Sequence, residues 1–135
     1  MSTTSRRRPL SPHLQVYRPT ITMTMSIVHR VTGAALYMGA PLLAWWLFVV
    51  ATGPGEFAVF QAFSESWFGR VVWLGYAWAL IHHLLGGLRH FLWDAGQAMA
   101  PRTASAMAWA TLIGSICLTV LVWFVAEWIG GARLP

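Results

Sequence analysis

The chain reads as an all-α integral membrane protein, with three transmembrane helices behind a polar, basic N-terminal segment. Three observations predict this. Hydrophobic residues make up 57% of the 135 residues and charged residues only 10%, against about 25% charged in a soluble domain. Mean hydropathy is +0.57. Three long apolar runs alternate with breaks marked by glycine and proline, and at roughly 20 residues per crossing they would use about 60 residues. Intrinsic disorder and a large independent enzyme are excluded. So is a disulfide scaffold, because the single cysteine, Cys117, lies in an apolar run without a partner.

The segments divide into a cytoplasmic N-terminal segment, 1–21, and a three-helix anchor domain, 22–135, with spans at about 28–52, 70–94 and 105–129. The N-terminal segment carries Pro9, Pro12 and Pro19 and is too polar for lipid; no short apolar core of a cleavable signal follows its arginines. The first run covers 31–51 without a charge, and its helix starts earlier, near Thr22. Thr52-Gly53-Pro54-Gly55 ends it. Residues 56–68 read as a loop with room for a short interfacial helix. The second run covers 71–93 and closes at Asp94, residues 96–103 form a turn, and the third run covers 106–128. Trp67, Trp93, Trp109 and Trp128 stand near run ends, as in the aromatic belts of membrane interfaces. No internal repeat is visible.

All nine basic residues are arginine, giving a net charge of +5 and a pI near 10.7. Their positions argue against nucleic acid as a partner. Arg6, Arg7, Arg8, Arg18 and Arg30 all precede the first apolar run, the arrangement of a segment held in the cytoplasm. The 53–68 loop and the C-terminus then lie outside and the 95–104 loop inside; the outer loop sets two acids against Arg70 at its end, and Arg133 on the outer tail is the one mild dissent. The start of helix 1 and the end of helix 2 therefore share the cytoplasmic face.

Ionisable residues inside spans are costly and mark function by default. Two clusters stand out: Ser26, His29 and Arg30 at the start of helix 1, and His82, His83, Arg89, His90 and Asp94 in helix 2. This topology puts Ser26, His29, Arg30, Arg89, His90 and Asp94 at similar depth, as a polar pocket beneath the headgroups. The bland alternative is a set of snorkelling side chains that fix helix position. His83 lies roughly 16 Å along the helix from Asp94, near mid-membrane. It shares a stripe with Gly75, Ala79 and Gly87, then with His90 and Asp94, whereas His82 has Trp78 one turn earlier and Gly86 one turn later. Small residues leave space for a flat ring beside the helix, so His83 is the better axial ligand for a haem and His82 the bystander. A histidine that only hydrogen-bonds across helices would look the same in sequence. A six-coordinate haem needs a second ligand. His29 reads as too shallow for that role and better placed, with His90, for the propionates, so a second membrane chain is expected to supply it.

Three segments carry a resemblance. Arg8-Pro9-Leu10-Ser11-Pro12-His13-Leu14-Gln15-Val16-Tyr17, Ser26-Ile27-Val28-His29-Arg30-Val31-Thr32-Gly33 and His83-Leu84-Leu85-Gly86-Gly87-Leu88-Arg89-His90-Phe91-Leu92-Trp93-Asp94 resemble the cytochrome b556 membrane-anchor family of succinate dehydrogenase (respiratory complex II). Length and three-span layout match along essentially the whole chain; Phe91, where leucine is common, is a small departure. The resemblance implies a complex with a flavoprotein subunit holding FAD and an iron–sulfur subunit holding its clusters. Two small anchors share a haem b and a site for ubiquinone. It implies His83 as an axial ligand of the haem iron, and Ser26 and Arg30 at the quinone. His29, Arg89 and His90 are expected at the haem, and His29 and Asp94 as a proton relay. The N-terminal Ser11-Pro12-His13-Leu14 stretch would dock against the iron–sulfur subunit. The implied location is a bacterial inner membrane, or the mitochondrial inner membrane in a eukaryote. Three other readings stay open: a fumarate reductase anchor run in the quinol-oxidising direction, a non-redox membrane scaffold, and a free-standing di-haem cytochrome, which would need histidine pairs at two depths.

Overall fold

A computed structural model describes residues 17–131. The proposed docking stretch at 11–14 and Arg133 lie outside the described residues. Among those described, the elements are α1 (Ile21–Thr52), α2 (Pro54–Glu65), α3 (Trp67–Asp94) and α4 (Pro101–Gly131). Three of them, α1, α3 and α4, are long and apolar enough to cross a membrane, as the sequence predicts.

The helices outrun the apolar stretches because their ends are capped rather than cut off by polarity. Thr20 caps α1, its hydroxyl oxygen accepting from the Met23 amide at 3.4 Å, so the helix starts ten residues before the charge-free run. Pro54 and Pro101 open α2 and α4, where a missing N–H costs nothing. Pro54 was expected to end a helix; it also begins one, with Gly53 alone between α1 and α2. Gly53 has φ 127°, a region that side chains disfavour. Ser66 caps α3 by accepting from the Gly69 amide at 3.0 Å. At its other end Gly96 (φ 72°) donates to the Trp93 carbonyl and Gln97 to that of Leu92, the paired bonds of a Schellman stop.

Helix α3 packs against α1 on one side and α4 on another. On α1 the buried residues Met25, Thr32 and Gly39 recur every seven positions, the spacing of helices that cross at a shallow angle. Tyr76 lies where a side chain at Gly39 would be. On α4, Thr111, Ser115 and Thr119 are buried. Each donates its hydroxyl to a carbonyl of its own helix at 2.7–2.8 Å, so these small polar side chains need no partner across the interface. Helix α2 lies at the end where α1 finishes and α3 begins, where buried Phe60 meets Trp45 (ring centres 4.9 Å apart) and Trp73 (6.0 Å). The outward faces are apolar: Tyr37, Met38, Phe48 and Phe124 are exposed, as a lipid-facing surface requires.

Candidate functional site

The centre of the site is the ring of His83. Its Nδ1 lies 3.1 Å from the His29 carbonyl oxygen and 3.4 Å from Thr32 Oγ1. The Thr32 hydroxyl already donates to that carbonyl at 2.9 Å. Both neighbours thus act as acceptors, and His83 carries its proton on Nδ1. Nε2 then keeps its lone pair, the state of a histidine prepared to bind a metal.

His29 stacks on His83, with ring centres 4.0 Å apart and planes 16° from parallel, and meets His90 edge-on at 5.1 Å. Two glycines make the stack possible. A Cβ at Gly33 would come within 2.9 Å of His83 Cε1, and one at Gly86 would collide with the His29 ring. By contrast, nothing stands within 4 Å of a Cβ built at Gly75 or Gly87. That side of α3 is open beside the imidazole.

His82 is turned elsewhere. It is 1% exposed, and its Nδ1 lies 3.0 Å from Ser115 Oγ on α4. The Ser115 hydroxyl donates to Leu112, so His82 donates to Ser115. Trp78 lies 5.3 Å away, ring to ring. The adjacent histidines therefore divide between helices, His82 toward α4 and His83 toward α1.

Ser26 and Arg30, one turn apart on α1, line a recess of about 490 Å³ with Tyr17, Met23 and Trp93. Asp94, exposed, directly follows Trp93. Of the six residues expected in one pocket, Ser26 and Arg30 line the recess, and Asp94 is exposed beside its Trp93 wall. His29 stacks on His83 with His90 against it. Arg89 is buried toward α4, lining a groove with Met107 and Thr111, while its guanidinium lies 5.1 Å from the Trp93 ring. His29 is also not too shallow to meet His83. The helix begins at Ile21, within a residue of the start expected near Thr22. His29 is roughly 12 Å into α1 and His83 roughly 16 Å from the end of α3, less than a turn apart in level. Sequence reasoning missed Thr32, Gly33, Tyr17 and Trp93. Thr32 and Gly33 were within reach, since they follow His29 by three and four residues on the same face.

Residues 4–122 match the succinate dehydrogenase/fumarate reductase transmembrane subunit family. The chain belongs to that family. The succinate dehydrogenase cytochrome b556 subunit of Paracoccus denitrificans is 45% identical, over 87% of this chain and 91% of its own. The subunit of the same name from Rickettsia conorii is 33% identical, again over 87% and 91%. The mitochondrial cytochrome b560 subunit of Mus musculus is 32% identical, over 87% of this chain and 69% of its own. These relatives bear out the resemblance carried by the three sequence segments. In this transmembrane subunit of the succinate dehydrogenase/fumarate reductase family, the histidine stack and the recess both lie toward the end where α1 begins and α3 finishes.

Proposed function

We propose that the chain is a membrane anchor of succinate:quinone oxidoreductase that gives one axial ligand to a haem b and forms part of the quinone-reduction site. The observation that carries this is the His83 ring, whose Nδ1–H is held by the His29 carbonyl at 3.1 Å while Nε2 stays free. The residues fit a haem. The imidazole has the right tautomer, and Gly87, one turn along the same stripe, leaves open space beside it. His29 Nε2 is buried without a partner among the described residues, which suits a donor to a propionate, with exposed His90 alongside. His82 is committed to Ser115, so the second ligand comes from a second anchor chain. When bound, the haem supplies a one-electron store close to the quinone.

Electrons reach this anchor from succinate through FAD and iron–sulfur clusters in the flavoprotein and iron–sulfur subunits. Residues 11–14 dock against the latter. Quinone reduction takes two electrons and two protons, so the recess must stabilise a developing oxyanion and then deliver protons. The Ser26 hydroxyl donates a hydrogen bond to a quinone carbonyl. Arg30 supplies fixed positive charge, an arrangement worth a few kcal/mol where water is excluded, at about the scale of other oxyanion sites. Ser26 is far too weak an acid to be the net proton source. Asp94, at the cytoplasmic water, and His29 fit a relay better. The same walls would serve a fumarate reductase; the succinate dehydrogenase names of the relatives favour the succinate-oxidising direction.

The test is a reduced-minus-oxidised visible spectrum of membranes carrying the complex. His83→Ala should abolish or strongly alter the b-type band, and His82→Ala should keep it. A band indifferent to His83 would remove the ligand assignment.

A further inference from the structure

Arg89 is 3% exposed, and its Nε and Nη1 are buried with no hydrogen-bond partner among the described residues. The guanidinium carbon stands 5.1 Å from the centre of the Trp93 ring, a contact that attracts the cation without neutralising it. The chain has no acid to pair with it. Its four acidic residues are Glu56, Glu65, Asp94 and Glu127. The two on α2 lie at the outer end, where Glu127 is engaged with Arg70 at 3.8 Å. Asp94 is exposed and, five residues along α3, points about 140° away around the helix. A buried and uncompensated charge is costly, so an anion from outside this chain belongs here.

The surroundings say which kind. Arg89 follows His82 by seven residues and shares its face, away from His83. It opens on a groove of about 210 Å³ between α3 and α4, walled by Leu88, Leu92, Met107 and Thr111. Leu88 and Leu92 are exposed on the outward, lipid-facing side. Along α3 the guanidinium is roughly 7.5 Å from the helix end, near headgroup depth on the cytoplasmic side. Arg102 and the N-terminal end of α4 stand at that same end and add positive potential. A phosphate beside a buried guanidinium, with acyl chains along leucine walls, matches both the charge and the apolar lining. We propose that Arg89 binds the headgroup phosphate of an anionic phospholipid in the cytoplasmic leaflet, in the groove between α3 and α4.

The test uses the intact complex, purified in detergent, exchanged into nanodiscs of phosphatidylcholine with or without phosphatidylglycerol, and re-extracted for native mass spectrometry. Wild type should retain phosphatidylglycerol through re-extraction. Arg89→Gln should weaken that retention by about tenfold, the scale of one lost charge-assisted hydrogen bond. Arg89→Lys should fall between, and Arg102→Gln, which removes only surrounding potential, should lower retention less than Arg89→Gln. Equal retention in Arg89→Gln, or none in wild type, overturns the proposal. Loss of the second anchor chain from Arg89→Gln in both lipids would assign the guanidinium to a partner carboxylate and overturn it too. If Arg89→Gln fails to assemble, Arg89→Lys decides, because a conserved charge with a single-point donor must still lower retention measurably. The readout is a lipid count, so it stands apart from the haem assignment.

Discussion

His82 and His83 differ by one position and about 100° around α3, and that angle decides their chemistry. One ring is spent on Ser115, and replacing that serine would leave a buried donor unpaired at a cost of about 1–3 kcal/mol. The other ring keeps a free nitrogen. This division was legible in the sequence, because the small residues four apart on the stripe of His83 mark a face that something flat can approach. The setting of Arg89 is legible in part: its spacing of seven from His82 turns it toward α4, as the same spacing puts His90 with His83, but its reach over the Trp93 ring is not. At the recess, Arg30 is exposed and makes no ion pair among the described residues. Arg30→Leu is expected to lower ubiquinone reductase activity by about tenfold or more, with the visible band and subunit content unchanged. Undiminished turnover in that variant would take Arg30 out of the quinone site.

Helix α3 owes its position to glycines of two kinds. Gly86 is filled by a neighbour, the His29 ring, whereas Gly75 and Gly87 face empty space. The two kinds make opposite predictions. Gly86→Ala should push His29 off the stack and destabilise the α1–α3 packing by about 1–3 kcal/mol, seen as a lower melting temperature of the complex. Gly87→Val should leave that packing alone yet displace a cofactor seated against the open stripe, seen as a shifted or missing band. A normal band in Gly87→Val would move the haem to another face. Spacing alone could not sort these glycines, because an i, i+4 pattern gives the face of a helix but not what stands opposite. The start of α2 at Pro54 was hidden for a related reason: a proline that ends one helix has the same fixed φ that starts the next.

Over the whole molecule, the two ends differ in charge. Arg18, Arg30, Arg89 and Arg102 lie toward the end formed by the start of α1, the finish of α3 and the start of α4. Three of the four acids lie at the other end, with Arg70. The positive-inside rule then puts the arginine-rich end in the cytoplasm. In a Cys117→Ala background, Gly55→Cys should react with a membrane-impermeant thiol reagent applied to intact cells, and Ser5→Cys only after the cells are opened. The reverse pattern would invert the orientation. The three spans were readable from hydropathy alone. The meeting of the start of α1 with the finish of α3 was readable too, from the helix start near Thr22 and the close at Asp94; the stacking of the His29 ring on His83 was not.

One bond described above ties distant parts of this molecule together. The acceptor for His83 Nδ1 is a backbone carbonyl of α1, so the ring cannot choose its azimuth independently of that helix. Ser26 lies one turn below the same carbonyl, roughly 4.5 Å along the axis. Rolling α1 about its long axis to admit a guest in the recess would swing the imidazole plane with it. The two sites share a single mechanical degree of freedom.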